Sequence, residues 1–252
     1  MTGISISTPH RQLKGYLATP QGIGPWPGVI VLHDIFGLTE VTREHADWLA
    51  SEGFLAVAPD LFSWGSRLRC IRALMMDLSA RKGAAFDDVN AIQQWLVNRQ
   101  DCTGKTGVIG FCVTGNFAIL LAAGHGFSAI APNYGPVPND IDAILEGACP
   151  MVASFGGRDR MLKGSAARLK GALERREIDH DVKEYPDAGH SFLDDHKGVL
   201  VGVLGAVMGA GYMEKDAADA RERIQTFFAR YLGRINSATS SKMDQSWDET
   251  SN

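Results

Sequence analysis

A tight turn after a short apolar strand constrains this chain more than any other feature. Residues 107–111 form the predicted strand, glycines flank the turn, and an Ala/Leu-rich helix is predicted over residues 113–123. In a nucleophile elbow the side chain at such a turn is pushed out above the sheet, and the next backbone amide faces a developing oxyanion. Cys112 occupies that position. The segment therefore predicts a hydrolase of the α/β class with Cys112 as its nucleophile.

Strands and helices alternate along the rest of the chain. Strands are predicted at residues 4–7, 15–18, 28–33, 54–60, 107–111, 129–134, 150–155 and 182–185, the first two as a hairpin. Helices are predicted at residues 39–51, 66–82, 86–96, 113–123, 166–173 and 220–231. Because parallel strands need helical crossovers, the alternation predicts an α/β fold with a mostly parallel sheet of about eight strands and helices on both faces.

One domain accounts for most of the length. Residues 1–234 are interpreted as a single domain, because a chain of 252 residues is long enough for one sizeable core. Residues 198–213 form an apolar, glycine-rich insertion. They are fewer than the roughly 20 residues that a membrane-spanning helix needs, so we interpret them as a wall or lid over the site. Residues 235–252 are rich in Ser, Thr, Asp and Asn, which predicts a disordered tail.

Charge and cysteine content narrow the classes of partner. The net charge is −4 and no run of Lys or Arg stands out, so we expect neither nucleic acid nor an anionic membrane surface as a partner. The first residues lack the basic and apolar parts of a secretory signal, which favours a cytoplasmic protein. The four cysteines are widely spaced without a CxxC pair, so no metal or other cofactor is expected. The expected ligand is a small molecule, bound by a monomer or a small homo-oligomer.

An acid and a histidine follow Cys112 in the order of an α/β-hydrolase triad. Asp159 comes after a later predicted strand, and His190 comes after the last one. His190 can take the thiol proton or hold a thiolate as an ion pair, while Asp159 can fix the imidazole tautomer. The thiolate is the attacking species, so the expected intermediate is an acyl thioester that water resolves.

Short motifs in the right order resemble the dienelactone hydrolase family of α/β-hydrolases, from about Tyr16 to Leu232. The matching motifs are Asp34-Ile35-Phe36-Gly37, Ala58-Pro59-Asp60-Leu61-Phe62, Gly110-Phe111-Cys112, Gly156-Gly157-Arg158-Asp159 and Ala188-Gly189-His190-Ser191-Phe192. The resemblance implies an α/β-hydrolase fold and a triad of Cys112, Asp159 and His190. It also implies an oxyanion hole made by the backbone amides of Ile35 and Val113.

Three positions depart from the pattern of that family. Asp34 stands where the family commonly has a glutamate that holds the resting cysteine, so the resting thiol could pair with His190 instead. Thr114 replaces a glycine, which predicts a slightly wider turn or a hydroxyl lent to the site. Asp194 stands where the family's namesake enzymes hold the substrate carboxylate with an arginine. An acid there would repel that carboxylate, so dienelactone itself is not the expected substrate.

Plainer interpretations of the triad and its neighbours stay open. Cys112 could be a buried inert thiol, because cysteine is among the most buried residue types. Asp159 could be a turn residue after two glycines, and His190 could cap a loop. Asp34 could be a solvated loop acid. His33 is interpreted as a strand-end histidine rather than a second base.

Further side chains are candidates for lining the site. Phe36 and Trp64 could line the pocket or belong to the core, and Ser191 could line the pocket or bond its own loop. Together with Asp34 and Thr114 they complete the set of possible lining residues. A basic cluster is interpreted as a solvated helix face, although one member could replace the missing carboxylate clamp: Arg67, Arg69 and Arg72.

The leading hypothesis is a hydrolase of a small, activated carboxylic ester or lactone. A thiolate attacks such esters well and is a poorer choice for amides, where expulsion of the amine competes with loss of the thiolate. The alternative is a catalytically silent small-molecule binding protein on the same fold. A thiol-based redox function is a third possibility, because a reactive thiolate can be oxidised.

Overall fold

The computed structural model describes residues 2–195 and 211–233. The strands are β1 (Thr2–Ser7), β2 (Gln12–Ala18), β3 (Trp26–Leu32), β4 (Leu55–Pro59), β5 (Cys102–Phe111), β6 (Ala129–Asn133), β7 (Met151–Gly156) and β8 (His180–Tyr185). The helices in this part of the chain are α1 (Glu40–Ser51), α2 (Arg67–Ala80), α3 (Ala84–Val97), α4 (Val113–Leu120), α5 (Ile141–Ile144), α6 (Ser165–Arg175) and α7 (Glu214–Leu232).

All eight strands belong to one sheet, in the order β1-β2-β4-β3-β5-β6-β7-β8. The pairs β1–β2 and β2–β4 are antiparallel, and every other pair is parallel. The predicted α/β fold, with its mostly parallel sheet and opening hairpin, is therefore confirmed. No helix within residues 2–195 and 211–233 is long and apolar enough to cross a membrane.

Helices cover both faces of the sheet. The side-chain hydroxyl of Thr106 in β5 accepts a hydrogen bond from Gln93 of α3 at 3.0 Å. A Cβ at the next residue, Gly107, would instead point at Phe228 and Leu232 of α7. Because successive residues of a strand face opposite sides, α3 and α7 lie on opposite faces.

The predicted elements differ from the observed ones mainly at their ends. Strand β5 begins at Cys102 rather than at residue 107. Its early part was missed because residues 103–105 are exposed and lack the apolar run that marked the rest of the strand. Helix α4 ends at Leu120, three residues before the predicted end. Helix α5 was not predicted, since four residues are too few to show a helical period. Residues 198–210 of the predicted insertion and the predicted tail at 235–252 lie outside the described residues.

Close backbone packing shapes the turn between β5 and α4. A Cβ at Gly110 would overlap the carbonyl oxygen of Thr114, and one at Gly115 would lie 2.6 Å from the carbonyl oxygen of Asn133. The small residues that the turn requires are therefore two positions before and three positions after Cys112. The resemblance to the family places the small residue after the nucleophile at position 114, whereas in this turn the close approach occurs at Gly115.

The hydroxyl of Thr114, which the sequence offered as a possible polar group of the site, is bonded to backbone atoms. Thr114 is fully buried. Its Oγ1 accepts a hydrogen bond from the amide of Phe111 at 3.0 Å and lies 3.0 Å from the carbonyl oxygens of Leu32 and Phe111, either of which can accept its proton. The hydroxyl thus joins the start of α4 to the ends of β3 and β5.

Replacing Thr114 by valine should reduce the free energy of unfolding by about 1–3 kcal/mol, because the buried amide of Phe111 loses its acceptor. Urea denaturation measures the change. Thr103→Val is the matched control at an exposed position of β5, and we expect less than about 0.5 kcal/mol there. Equal losses in the two variants would contradict a bracing role for the Thr114 hydroxyl.

Candidate active site

The candidate residues meet at the carboxyl edge of the parallel strands. Asp34 follows β3, Cys112 follows β5, Asp159 follows β7 and His190 follows β8. Open α/β sheets place their ligand sites at this edge, because the strand ends and the loops after them converge there. The topology therefore brings together residues that are up to 156 positions apart in sequence.

Cys112 sits at a strained corner. Its φ is 56° and its ψ is −122°, a conformation that side-chain-bearing residues rarely adopt. Its amide donates a hydrogen bond to the carbonyl of Asn133 at 3.1 Å, and its side chain is half-buried. Val113 is the first residue of α4, so its amide has no intrahelical acceptor and can serve an anion. This is the geometry that the elbow pattern predicts.

His190 and Asp159 form a buried hydrogen-bonded pair. His190 Nδ1 donates to Asp159 Oδ2 at 2.6 Å, and the two residues are 3% and 2% exposed. The other carboxylate oxygen of Asp159 accepts the amide of Met161 at 3.0 Å, which fixes the carboxylate in place. The proton on Nδ1 is thereby held, and Nε2 is the nitrogen left for chemistry.

Electrostatics at His190 favour the protonated ring. Burial lowers the pKa of His190, but its hydrogen bond with Asp159 and its interaction with the thiol of Cys112 outweigh that effect and raise the pKa to about 10. Nε2 is buried and makes no hydrogen bond within the described residues. The direction of the shift favours the imidazolium form of His190.

The carboxylate of Asp34 shapes the loop that carries the other predicted oxyanion amide. Asp34 Oδ1 accepts the amide of Phe36 at 2.7 Å, and the carbonyl of Asp34 accepts the amide of Gly37 at 3.3 Å. The amide of Ile35 lies between them in sequence. Arg67 braces the same loop, since its Nη2 donates to the carbonyl of Ile35 at 3.0 Å.

Two predicted lining aromatics have contrasting surroundings. Phe36 is half-buried in the Asp34 loop, and the guanidinium of Arg67 lies 5.9 Å from its ring. Trp64 donates from Nε1 to the carbonyl of Leu61 at 3.0 Å, and its ring carries the guanidinium of Arg11 at 4.3 Å. These contacts join Trp64 to its own turn and to the residue before β2.

His33 and Ser191 serve local structure. His33 Nδ1 donates to the carbonyl of Asp34 at 2.7 Å, and Nε2 accepts the amide of Leu61 at 3.0 Å. Burial lowers the pKa of His33, so the ring stays neutral with both nitrogens occupied. Ser191 is half-buried with a φ of 60°, and its carbonyl accepts the amide of Asp194 at 3.0 Å.

The carboxylate of Asp194, which the sequence places near a substrate carboxylate, is buried and bonded to other side chains. It is 4% exposed and accepts hydrogen bonds from His45 at 2.8 Å and from the hydroxyl of Tyr134 at 2.7 Å. Sequence reasoning missed both partners. His45 stood on the apolar face of α1, where a polar side chain signals a buried partner, and Tyr134 stood at the carboxyl end of a predicted strand.

Within the described part of the chain, no group of three or more His, Cys, Asp or Glu side chains could hold a metal ion. The four cysteines are free thiols.

Comparison with known proteins points to one family. The model of the dienelactone hydrolase family matches residues 13–232. A putative carboxymethylenebutenolidase of Salmonella typhimurium is 28% identical over 247 residues, covering 91% of this chain and 87% of that protein. The carboxymethylenebutenolidase of Pseudomonas putida is 26% identical over 237 residues, covering 90% of this chain and 95% of that protein.

Solved structures show the same architecture. The crystal structure of a putative dienelactone hydrolase from Klebsiella pneumoniae superposes with a TM-score of 0.75 at 26% identity, covering 91% of this chain and 98% of that one. A dienelactone hydrolase-like promiscuous phosphotriesterase from metagenomic libraries superposes with a TM-score of 0.76 at 21% identity, covering 92% and 98%. At 21% identity, the likeness to the second structure shows a shared fold and nothing more.

The raised pKa of His190 predicts how its contribution to stability depends on pH. The folded value of about 10 lies above the ordinary value of 6.5. The stability that such a group supplies is fully present below the ordinary value and is lost as the pH rises through about 10. The destabilisation caused by His190→Gln, measured by urea unfolding, should therefore be larger at about pH 6 than at about pH 10.

His125 supplies a control of opposite sign. Burial lowers its pKa, so the stability it supplies increases as the pH rises through the ordinary range of histidine. The destabilisation caused by His125→Gln should grow with pH there. An effect of His190→Gln that also grew with pH would contradict the raised pKa.

Proposed function

The chain belongs to the dienelactone hydrolase family, and from that premise we propose that it hydrolyses a small carboxylic ester or lactone with Cys112 as the nucleophile. The observation that carries the proposal is the buried His190–Asp159 pair, whose Nε2 makes no hydrogen bond within the described residues; the electrostatic influence of Cys112 on the pKa of His190 supports it. A histidine oriented by a carboxylate and paired with a thiol is the arrangement that activates a cysteine nucleophile.

The first half of the proposed reaction acylates the enzyme. The thiolate sulfur of Cys112 adds to the carbonyl carbon, and the carbonyl oxygen becomes an oxyanion facing the amides of Ile35 and Val113. The bond from carbon to the leaving oxygen then breaks. The leaving alkoxide takes the proton from Nε2 of His190. The products of this half are an alcohol and an acyl thioester on Cys112.

The second half regenerates the thiolate. Neutral His190 takes a proton from water at Nε2, and the resulting hydroxide adds to the thioester carbon. The carbon–sulfur bond breaks, the carboxylic acid leaves, and the sulfur again pairs with imidazolium. Asp159 holds Nδ1 throughout, so the ring presents the same nitrogen in both halves.

Dienelactone itself is not the proposed substrate, on a ground that differs from charge repulsion. The position four residues after His190 holds Asp194, whose carboxylate is bonded to His45 and Tyr134. That position supplies no cation for a substrate carboxylate. An ester or lactone without a carboxylate is the substrate class that this arrangement favours.

Burst kinetics on p-nitrophenyl acetate test the proposal. We expect a burst of nitrophenol equal to the enzyme concentration, and a loss of about 10³-fold or more in kcat for Cys112→Ala and for His190→Ala, because a triad acts as a unit. Cys149→Ala is the matched control, since burial raises the pKa of that half-buried thiol to about 12 and keeps it protonated.

The alternative is a catalytically silent binding protein. It predicts no burst, and a Cys112 whose alkylation by iodoacetamide titrates near the reference value of about 8.5. Full activity in Cys112→Ala would contradict the proposed nucleophile.

A further inference from the structure

A second buried histidine–carboxylate pair lies behind the candidate triad. His45 on α1 donates from Nε2 to Asp194 Oδ1 at 2.8 Å, and the hydroxyl of Tyr134 donates to Asp194 Oδ2 at 2.7 Å. The three residues are 2%, 4% and 0% exposed. A buried carboxylate with a donor on each oxygen is held firmly, because breaking either bond leaves an unsatisfied charge in a low-dielectric interior. We call these three residues the rear network.

The rear network touches the catalytic histidine through Tyr134. The ring of Tyr134 packs edge-on against the imidazole of His190, with centroids 5.3 Å apart and planes at 63°. Asp194 reaches the same histidine through the backbone, since its amide closes a turn on the carbonyl of Ser191. The loop of His190 is therefore tied at one end by Asp159 and at the other by Asp194.

The rear network also touches the residue before the nucleophile. The ring of Phe111 stacks on the imidazole of His45, with centroids 4.2 Å apart and planes at 12°. Tyr134 itself has a φ of 37°, a value that a bulky residue keeps only where its surroundings over-determine it. Burial and the charge of Asp194 raise the pKa of Tyr134 well above its ordinary value, so its hydroxyl remains a donor.

We propose that His45, Asp194 and Tyr134 are positioning residues that hold the imidazole of His190 at the distance and angle at which Nε2 serves Cys112. The inference rests on the proposed role of His190. His45 and Asp194 are buried, so the network acts on the rate of proton transfer rather than on substrate binding.

Removing the charge of Asp194 distinguishes two effects on the pKa of the Cys112 thiol: the loss of a nearby negative charge and the loss of the position of His190. A negative charge near Cys112 disfavours the thiolate, so loss of that charge by itself lowers the pKa of the thiol. Loss of the position of His190 removes the cationic partner and raises the same pKa. The two accounts predict opposite directions. Asp34 and Asp159 also face this cluster, and both are present in every variant below.

The experiment measures Asp194→Asn by iodoacetamide alkylation of Cys112 against pH and by kcat and KM on p-nitrophenyl acetate. We expect the alkylation pKa to rise towards about 8.5. We also expect kcat to fall about tenfold or more with KM changed less than about twofold, since a small misplacement of a catalytic group is costly in rate.

Asp88→Asn is the matched control. Asp88 is also a buried carboxylate. It lies on α3, accepts the hydroxyl of Thr8 at 2.6 Å and pairs with Arg11 at 2.8 Å, and both partners belong to the turn between β1 and β2. It should lower stability without moving the alkylation pKa. An alkylation pKa in Asp194→Asn that is unchanged or lowered would overturn the proposal, as would equal losses of kcat in the two asparagine variants.

Variants at two further positions, Tyr134 and His45, test the proposal if Asp194→Asn does not fold. Tyr134→Phe keeps the ring and removes only the bond to Asp194, and unchanged kcat and alkylation pKa there would overturn the proposal. His45→Gln keeps a donor for Asp194, whereas His45→Leu removes it, so activity should be retained better in the glutamine variant. If wild-type Cys112 itself titrates near about 8.5, the proposed function fails, and that result is distinct from a failure of the rear network.

Discussion

The rest of the site depends on how closely two backbone segments approach at the turn after β5. Glycine at position 110 lets the strand end lie against the Thr114 carbonyl, and Gly115 lets α4 lie against the end of β6. This packing holds Cys112 at a positive φ and presents the amide of Val113 beside its thiol. The buried hydroxyl of Thr114 adds a bond between the ends of β3 and β5. Close backbone packing and this buried hydrogen bond therefore fix the conformation of the turn at Cys112.

Buried carboxylates surround this turn, and each is satisfied by a different kind of donor. Asp159 is bonded to an imidazole, Asp194 to an imidazole and a phenol, and Asp34 to a backbone amide. Without such partners the free-energy cost of burying an ionised carboxylate would be large enough that the group would take up a proton. The donors differ because each acid meets a different segment: Asp159 the loop after β8, Asp194 α1 and the end of β6, and Asp34 its own loop.

Much of the fold was predictable because its signals are local. Continuous apolar runs marked the buried strands, and the order of Cys112, Asp159 and His190 indicated where the strand ends would meet. The surroundings of two side chains were not predictable. Thr114 and Asp194 were singled out because they depart from the pattern of the family, yet their hydrogen bonds involve partners far away in sequence, Leu32 and His45.

The sequence by itself determined the α/β architecture, the position of the elbow and the order of the candidate triad, since hydrophobic period, glycine placement and residue order are properties of short segments. Only the tertiary structure decided that His190 Nδ1 is held by Asp159, that Nε2 is buried without a hydrogen bond within the described residues, and that Asp194 is bonded to His45, 149 residues away. Those contacts join α1, the end of β6 and the loop after β8, and no local pattern specifies a hydrogen bond between segments that meet only when the sheet is assembled.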